Sequence, residues 1–215
     1  MSPPAVKSPG KGGESGEALP RSETPSPAVP PHIVDAARHV LAQGGLAAAT
    51  LERISAAAGV SRMTLHRRGV SKQDILRAVA EDFALEHREA MWKPLVAAGS
   101  AKDRLRLALE LQCELSERNL ATLEALSSPA RDAIFHQPGS PSLTREAFVE
   151  PLERLLRDGA IDGTLAPVSS PRETATVLFN TVGHTYRHLR AGHGWSAARA
   201  RDGVMALVMD GLVAR

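Results

Sequence analysis

Aromatic residues are scarce in this chain. Two Trp, one Tyr and four Phe make up 3 per cent of 215 residues. That leaves too few for a dense aromatic cage around a cation. Cysteine is scarcer still, with Cys113 alone, so neither a disulfide framework nor a cysteine-based zinc site can be built. A reducing, cytoplasmic location is the expectation. No run of about 18 apolar residues occurs, so no transmembrane helix is expected. The first residues, MSPPAVKSPGKGGESGE, lack the apolar core of a secretory signal. An excess of one charge is missing too: 26 Lys and Arg face 24 Asp and Glu, a net +2. Partners must therefore be read from where the charge sits. Also missing are a GxSxG elbow, a GxxxxGK[ST] loop, a GxGxxG turn before a helix, and HExxH. No catalytic residue, metal or cofactor is expected, and Cys113 has no basic motif nearby to make it a nucleophile.

What is present favours helices. Alanine, leucine, arginine and glutamate dominate, hydrophobic residues make up 43 per cent, and no stretch reads as a strand or an internal repeat. The fold class is all-α. Residues 1–31 hold eight prolines, four glycines and five serines, no aromatic residue and balanced charge. They cannot bury enough apolar surface to offset their ordering entropy, and read as a disordered tail. From there Ile33, Ala36, Ala37, Val40 and Leu41 fall on one helical face, ended by Gly44-Gly45. Thr50 caps a short helix, Gly59 ends it, and Ser61 caps the next, through Arg68. Ser71 with Asp74 forms a capping-box pattern opening a fourth helix, bounded by Pro94. Longer helices follow over 101–120, 143–158, 171–190 and 195–213, with 161–167 reading as a loop.

The stretch Thr50 to Lys72, TLERISAAAGVSRMTLHRRGVSK, has helix-turn-helix spacing, in which the second helix enters the DNA major groove. Ile54, Ala57, Val60 and Leu65 would pin the two helices together. Arg62, Met63, His66, Arg67 and Arg68 would then face outward. Residues 32–77 hold seven Lys or Arg against three acids, whereas 78–215 is slightly acidic. The basic charge sits where a DNA-binding head needs it.

With these residues in view, the sequence resembles the tetracycline-repressor (TetR) family of bacterial regulators. The matches are Ala36-Ala37, Gly44-Gly45, Thr50, the run Ile54 to Ser61, Thr64-Leu65, Ser71-Lys72 and Ile75-Leu76. The resemblance implies three parts: the tail (1–31), a helix-turn-helix head (32–77), and an effector-binding and dimerisation domain (78–215). It implies that Thr50 and Lys72 hold phosphates, that Thr64 lies near phosphate or a thymine methyl, and that Arg62 and Met63 face bases, Arg62 suiting guanine O6 and N7. The family usually has Tyr at His66 and an aromatic or bulky apolar residue at Gly69. His66, Arg67 and Arg68 can still hold phosphate. At Gly69 a packing anchor is lost, which predicts a less rigid head.

The resemblance further implies a homodimer on a double-stranded operator. Paired last helices would offer Leu178, Val182, Tyr186 and Leu189, then Val204, Leu207, Val208, Gly211 and Leu212, with Ala197, Ala200 and Gly203 allowing close approach. The effector pocket would draw on Leu109, Gln112, Cys113, Phe135, Phe148, Leu152, Phe179, Asn180 and His184. That largely apolar lining suits an apolar or amphipathic organic molecule. The effector would shift the spacing of the two recognition helices through the fourth helix, and repression is the family default. Two alternatives stand beside this reading. One is a dimeric regulator with no small molecule. The other is a metal-responsive one using His184 and His188, one helical turn apart.

Overall fold

A computed structural model describes residues 28–126 and 145–212. Among these residues there are nine helices and no strand: α1 (Pro31–Ala48), α2 (Leu51–Ala57), α3 (Arg62–Arg67), α4 (Lys72–Val96), α5 (Ala101–Arg118), α6 (Leu120–Ala125), α7 (Arg145–Asp162), α8 (Pro171–Ala191) and α9 (Ala197–Leu212). The expected tail over 1–31 lies outside the described residues through 27, as does Phe135. The last residues of that stretch are not tail, since Val29 packs against the cluster of α1 and Pro31 opens that helix.

The helix starts follow the caps. Thr50, Ser61, Ser100 and Ser170 each accept a backbone N–H three residues on, satisfying an otherwise orphaned donor. Ser71 and Asp74 form a reciprocal capping box at α4. Gly44-Gly45 breaks α1 as expected, and a further short helical stretch runs on from the break to Ala48. Gly45 sits at φ +68°, and a Cβ at Gly44 would fall 2.5 Å from that of Ala48.

Two helices outrun their expected ends. Pro94 does not bound α4 but sits buried inside it, two residues before its last residue, Val96. A proline that late removes one hydrogen bond of a turn that is already ending. Residues 161 and 162, read as loop, close α7 instead. The Asp162 carboxylate and the Thr164 hydroxyl accept the Ala101 and Lys102 N–H groups at 2.8 and 3.2 Å, so this corner caps α5 from outside.

Two main apolar clusters result. The first joins α1 to α4 through Ile33, Ala37, Val40, Leu41, Ile54, Leu65, Val70, Ile75, Leu76 and Val79. Ala57, expected in it, is exposed; Ala58 packs against the cluster in its place. Leu126, at the end of α6, also belongs to this cluster, so the core of the head reaches beyond residue 77 on both counts. The second cluster is the body: Leu105 and Leu109 of α5, Leu152 and Leu155 of α7, Leu178 and Val182 of α8, and Val204 and Met205 of α9. A half-buried polar network braces it. Tyr186 donates to Glu117 at 2.8 Å, and Arg190 donates to both Glu117 oxygens and to the Trp195 carbonyl. The Arg190 guanidinium holds the Glu117 carboxyl below the usual carboxylate range.

Candidate nucleic-acid interface and effector region

α2 and α3 are short, and each closes in the same way. At the end of α2, Gly59 takes φ +67° and the Val60 N–H returns to the Ser55 carbonyl at 3.0 Å. At the end of α3, Gly69 takes φ +66°, its N–H returns to His66 at 3.0 Å, and the Val70 N–H returns to Leu65 at 3.1 Å. This is the Schellman closure, in which the left-handed residue is almost always glycine. Gly69 is therefore no missing anchor. Val70, one residue on, is buried beside Leu65 in the cluster that the head shares.

The outer side of α3 carries Arg62, Met63, His66 and Arg67, with Arg68 at its C-cap, all exposed. Met63 stands 63 per cent exposed. Arg62 is paired: its Nη1 lies 2.7 Å from Oε1 of Glu52 on α2. The Glu52 carboxyl lies below its usual range, chiefly through its own backbone N–H and further through Arg62. Sequence reasoning did not single out Glu52. Ten residues separate the pair, and only the packing of α2 on α3 brings them together. Thr64 is half-buried, its hydroxyl 2.8 Å from that of Ser61. Thr50 is half-buried as the cap of α2. Lys72 donates to the Leu46 carbonyl at 3.2 Å, so one of its three N–H groups steadies the chain after the α1 kink.

The residues expected to line an effector pocket divide. Leu109, Cys113 and Leu152 are buried in the body cluster, where burial pushes the Cys113 thiol up to about 12 and keeps it protonated. Gln112 is buried and donates to the Phe179 carbonyl at 2.7 Å. Phe148 and Phe179 meet with centroids 5.5 Å apart. Asn180 and His184 lie exposed on the far side of α8: Asn180 donates to the Thr176 carbonyl, and Nδ1 of His184 is 3.0 Å from Nη2 of Arg187. They do not join the aromatic group. His87 of α4 does. It is 2 per cent exposed, its ring centroid 5.0 Å from Phe148 and 5.6 Å from Phe179. Burial lowers its pKa to about 4, so the ring is neutral at pH 7, and its Nδ1 has no hydrogen-bond partner. The signal in the sequence was its place on the inner face of α4, four residues from Phe83 and four from Met91.

The expected dimer stripe also divides. Leu178, Val182, Tyr186, Val204 and Val208 are buried in the protomer's own core, with Leu189 packed against it. A helix that buries one face at home presents the other, and the outer face here carries Val177 at 62 per cent and Leu207 at 75 per cent exposure. Ala200 is likewise buried, Ala197 is half-buried and Gly203 is exposed; the side chains at 211 and 212 lie outside the described residues. His188 stacks edge-on with His193 at 4.9 Å, and among the described residues no three His, Cys, Asp or Glu cluster as metal ligands.

Comparison with known proteins bears on this geometry. Residues 33–79 match the family described as "Bacterial regulatory proteins, tetR family". The fatty acid metabolism regulator protein of Bacillus subtilis is 24% identical over 155 residues, 71% of this chain and 79% of that protein. The transcriptional regulator FadR from Bacillus subtilis, solved in complex with stearoyl-CoA, superposes with a TM-score of 0.69 at 22% identity, covering 84% of this chain and 97% of that one. A TetR/AcrR-family regulator from Thermobifida fusca superposes with a TM-score of 0.63 at 24% identity, over 83% and 95%. These likenesses establish the body's fold, and the match at the head establishes its kind. Residues 33–79 therefore match the tetR family of bacterial regulatory proteins, and the chain as a whole shares the fold of the regulators it superposes on.

Proposed function

We propose that the protein is a dimeric repressor that holds a palindromic operator and releases it when a long-chain acyl ligand binds the body. The observation that carries the reading is the outer face of α3, where Arg62, Met63, His66 and Arg67 stand together in solvent. Residues 32–77 form the head in this reading, completed by Val79 and Leu126, and 78–215 form the body. Arg62 reads a base edge, the commonest such contact being guanine O6 and N7. His66, Arg67, Arg68, Thr50 and the two uncommitted N–H groups of Lys72 hold phosphates. Protomers pair through the outer faces of α8 and α9, around Val177 and Leu207.

The acyl class is supported by the regulators that this chain resembles, one a fatty acid metabolism regulator and one solved with stearoyl-CoA. It is supported also by the apolar ring of Phe83, Phe148 and Phe179 between α4, α7 and α8. No observation favours a metal effector over this one. The test is selection of genomic fragments by the purified protein, then salt-dependent titration of the best fragment with and without stearoyl-CoA. The reading expects an inverted repeat, a steep salt slope, and at least tenfold weaker binding with the ligand. Sequence-indifferent binding would remove the operator reading. An unchanged affinity with ligand would remove the acyl effector.

A further inference from the structure

A cleft of about 320 Å³ opens between α4 and α7, lined by Arg88, Met91, Trp92, Leu95, Pro151 and Arg154, with Glu150 at its edge. Its floor is apolar: Met91 is fully buried, Leu95 and Pro151 partly so. Its rim is not. Arg88 and Arg154 stand exposed on facing helices, and neither has an ion-pair partner among the described residues. Arg157 and Arg104, by contrast, are paired with Glu153 and Asp158. Two arginines against one glutamate leave the rim cationic. Trp92 adds an indole that is 65 per cent exposed, a flat face on which a planar base can stack.

The seam behind the cleft leads inward. Met91 lies one turn along α4 from His87, and Pro151 lies three residues along α7 from Phe148. His87 and Phe148 are in ring contact, so the cleft floor continues toward the buried imidazole. There Nδ1 of His87 is an unpartnered polar atom in an otherwise aromatic group, a placement that costs stability unless something completes it. In the tautomer with its hydrogen on Nδ1, it would donate to a carbonyl oxygen entering the seam.

We infer that the α4/α7 cleft is the mouth of the effector site, taking the phosphorylated nucleotide carrier of an acyl thioester between Arg88 and Arg154, with the thioester carbonyl directed to His87. This rests on the acyl reading above and says which end of such a ligand the protein grips, and where. The cleft lies at the small end of the usual range for ligand sites, so it holds the carrier end while the chain follows the seam. A guanidinium pair suits phosphate oxygens through forked, charge-assisted hydrogen bonds. Trp92 stacks on the base.

The full chain is titrated by calorimetry with stearoyl-CoA, below its micelle-forming concentration, and separately with stearate. The variants are Arg88→Gln/Arg154→Gln and His87→Leu, with circular dichroism melting to confirm that each is folded. The wild type is expected to bind stearoyl-CoA at least tenfold more tightly than stearate. The arginine double variant should abolish that preference and the salt dependence with it. His87→Leu should weaken stearoyl-CoA at least fivefold, and Trp92→Phe should remove most of the ligand-induced fluorescence change. Full stearoyl-CoA affinity in the folded double variant would overturn the cleft as the mouth while leaving an acyl effector standing. Equal affinity of the wild type for stearate and stearoyl-CoA would overturn the phosphorylated carrier. Full affinity in His87→Leu would overturn the carbonyl contact. No binding of stearoyl-CoA by the wild type would overturn the acyl reading itself.

Discussion

Glu52 and Arg62 show how a single ion pair bears on reading DNA. An exposed pair of this kind is weak and exchanges readily, so in the proposed reading Glu52 would not lock Arg62 but compete with DNA for it. Glu52→Gln is expected to strengthen binding to all DNA several-fold, since it removes a negative charge facing the phosphates and frees the guanidinium. Arg62→Ala is expected to cost about 1–3 kcal/mol on the specific site and little on random DNA. Fluorescence anisotropy with both DNAs measures each effect, and an equal loss on both would move Arg62 to the phosphates. His87 carries a second residue-scale consequence. Its pKa falls from 6.5 to about 4 on folding, so the unfolded chain binds the extra proton between those values. Stability therefore declines as pH drops from about 6.5 to about 4, by about 3 kcal/mol in all. Melting temperature against pH should show this decline, and His87→Gln should flatten it whatever its own stability. A residue such as His87 was hard to see in the sequence. Its position on the inner face of α4 was legible, but the rings that surround it come from helices some 60 and 90 residues away.

At the scale of the helix, the sequence announced its starts better than its stops. Thr50, Ser61 and Ser71 all cap as their chemistry demands, because a cap is a local hydrogen bond between residues three apart. Pro94 and residues 161 and 162 misled because a helix end also depends on what packs around it. Gly69 is the sharpest instance. Compared with relatives it looked like a lost aromatic anchor, yet its φ of +66° shows a backbone position that only glycine fills without strain. Gly69→Tyr, which restores the family's usual bulk, is therefore expected to destabilise the head by about 1–2 kcal/mol. Thermal unfolding followed by circular dichroism decides this, and a stabilised Tyr variant would show that packing outweighs the turn. The stripes of α8 and α9 teach a related point. Periodicity finds an apolar face but cannot say whether the chain's own core or a second copy covers it; Leu178 and Val182 went inward, Val177 and Leu207 outward.

Across the whole molecule, two routes join body to head. One is α4, which runs from its cap at Ser71 to the cleft at Trp92. Arg38 of α1 ties to it through Asp82 and Glu86, at 2.9 and 2.8 Å, and Asn119 at the end of α5 donates to Glu86. The other is α6, which packs against α1 and delivers Leu126 into the cluster of the head. The sequence suggested only the first, since nothing about a six-residue helix so far along the chain points to residue 33. Leu207→Glu should split the proposed dimer, read as a halved mass by light scattering, while leaving the helical content intact. Leu126→Ala should cost about 2–5 kcal/mol by opening a cavity, and its effect should appear as weakened operator binding although residue 126 lies far from α3 in sequence. The same side chain sets a rule for protein engineering. Grafting this reading head onto a foreign sensor by splicing at residue 77 would leave an open socket where Leu126 sat, so a working chimera must import that leucine or fill its space.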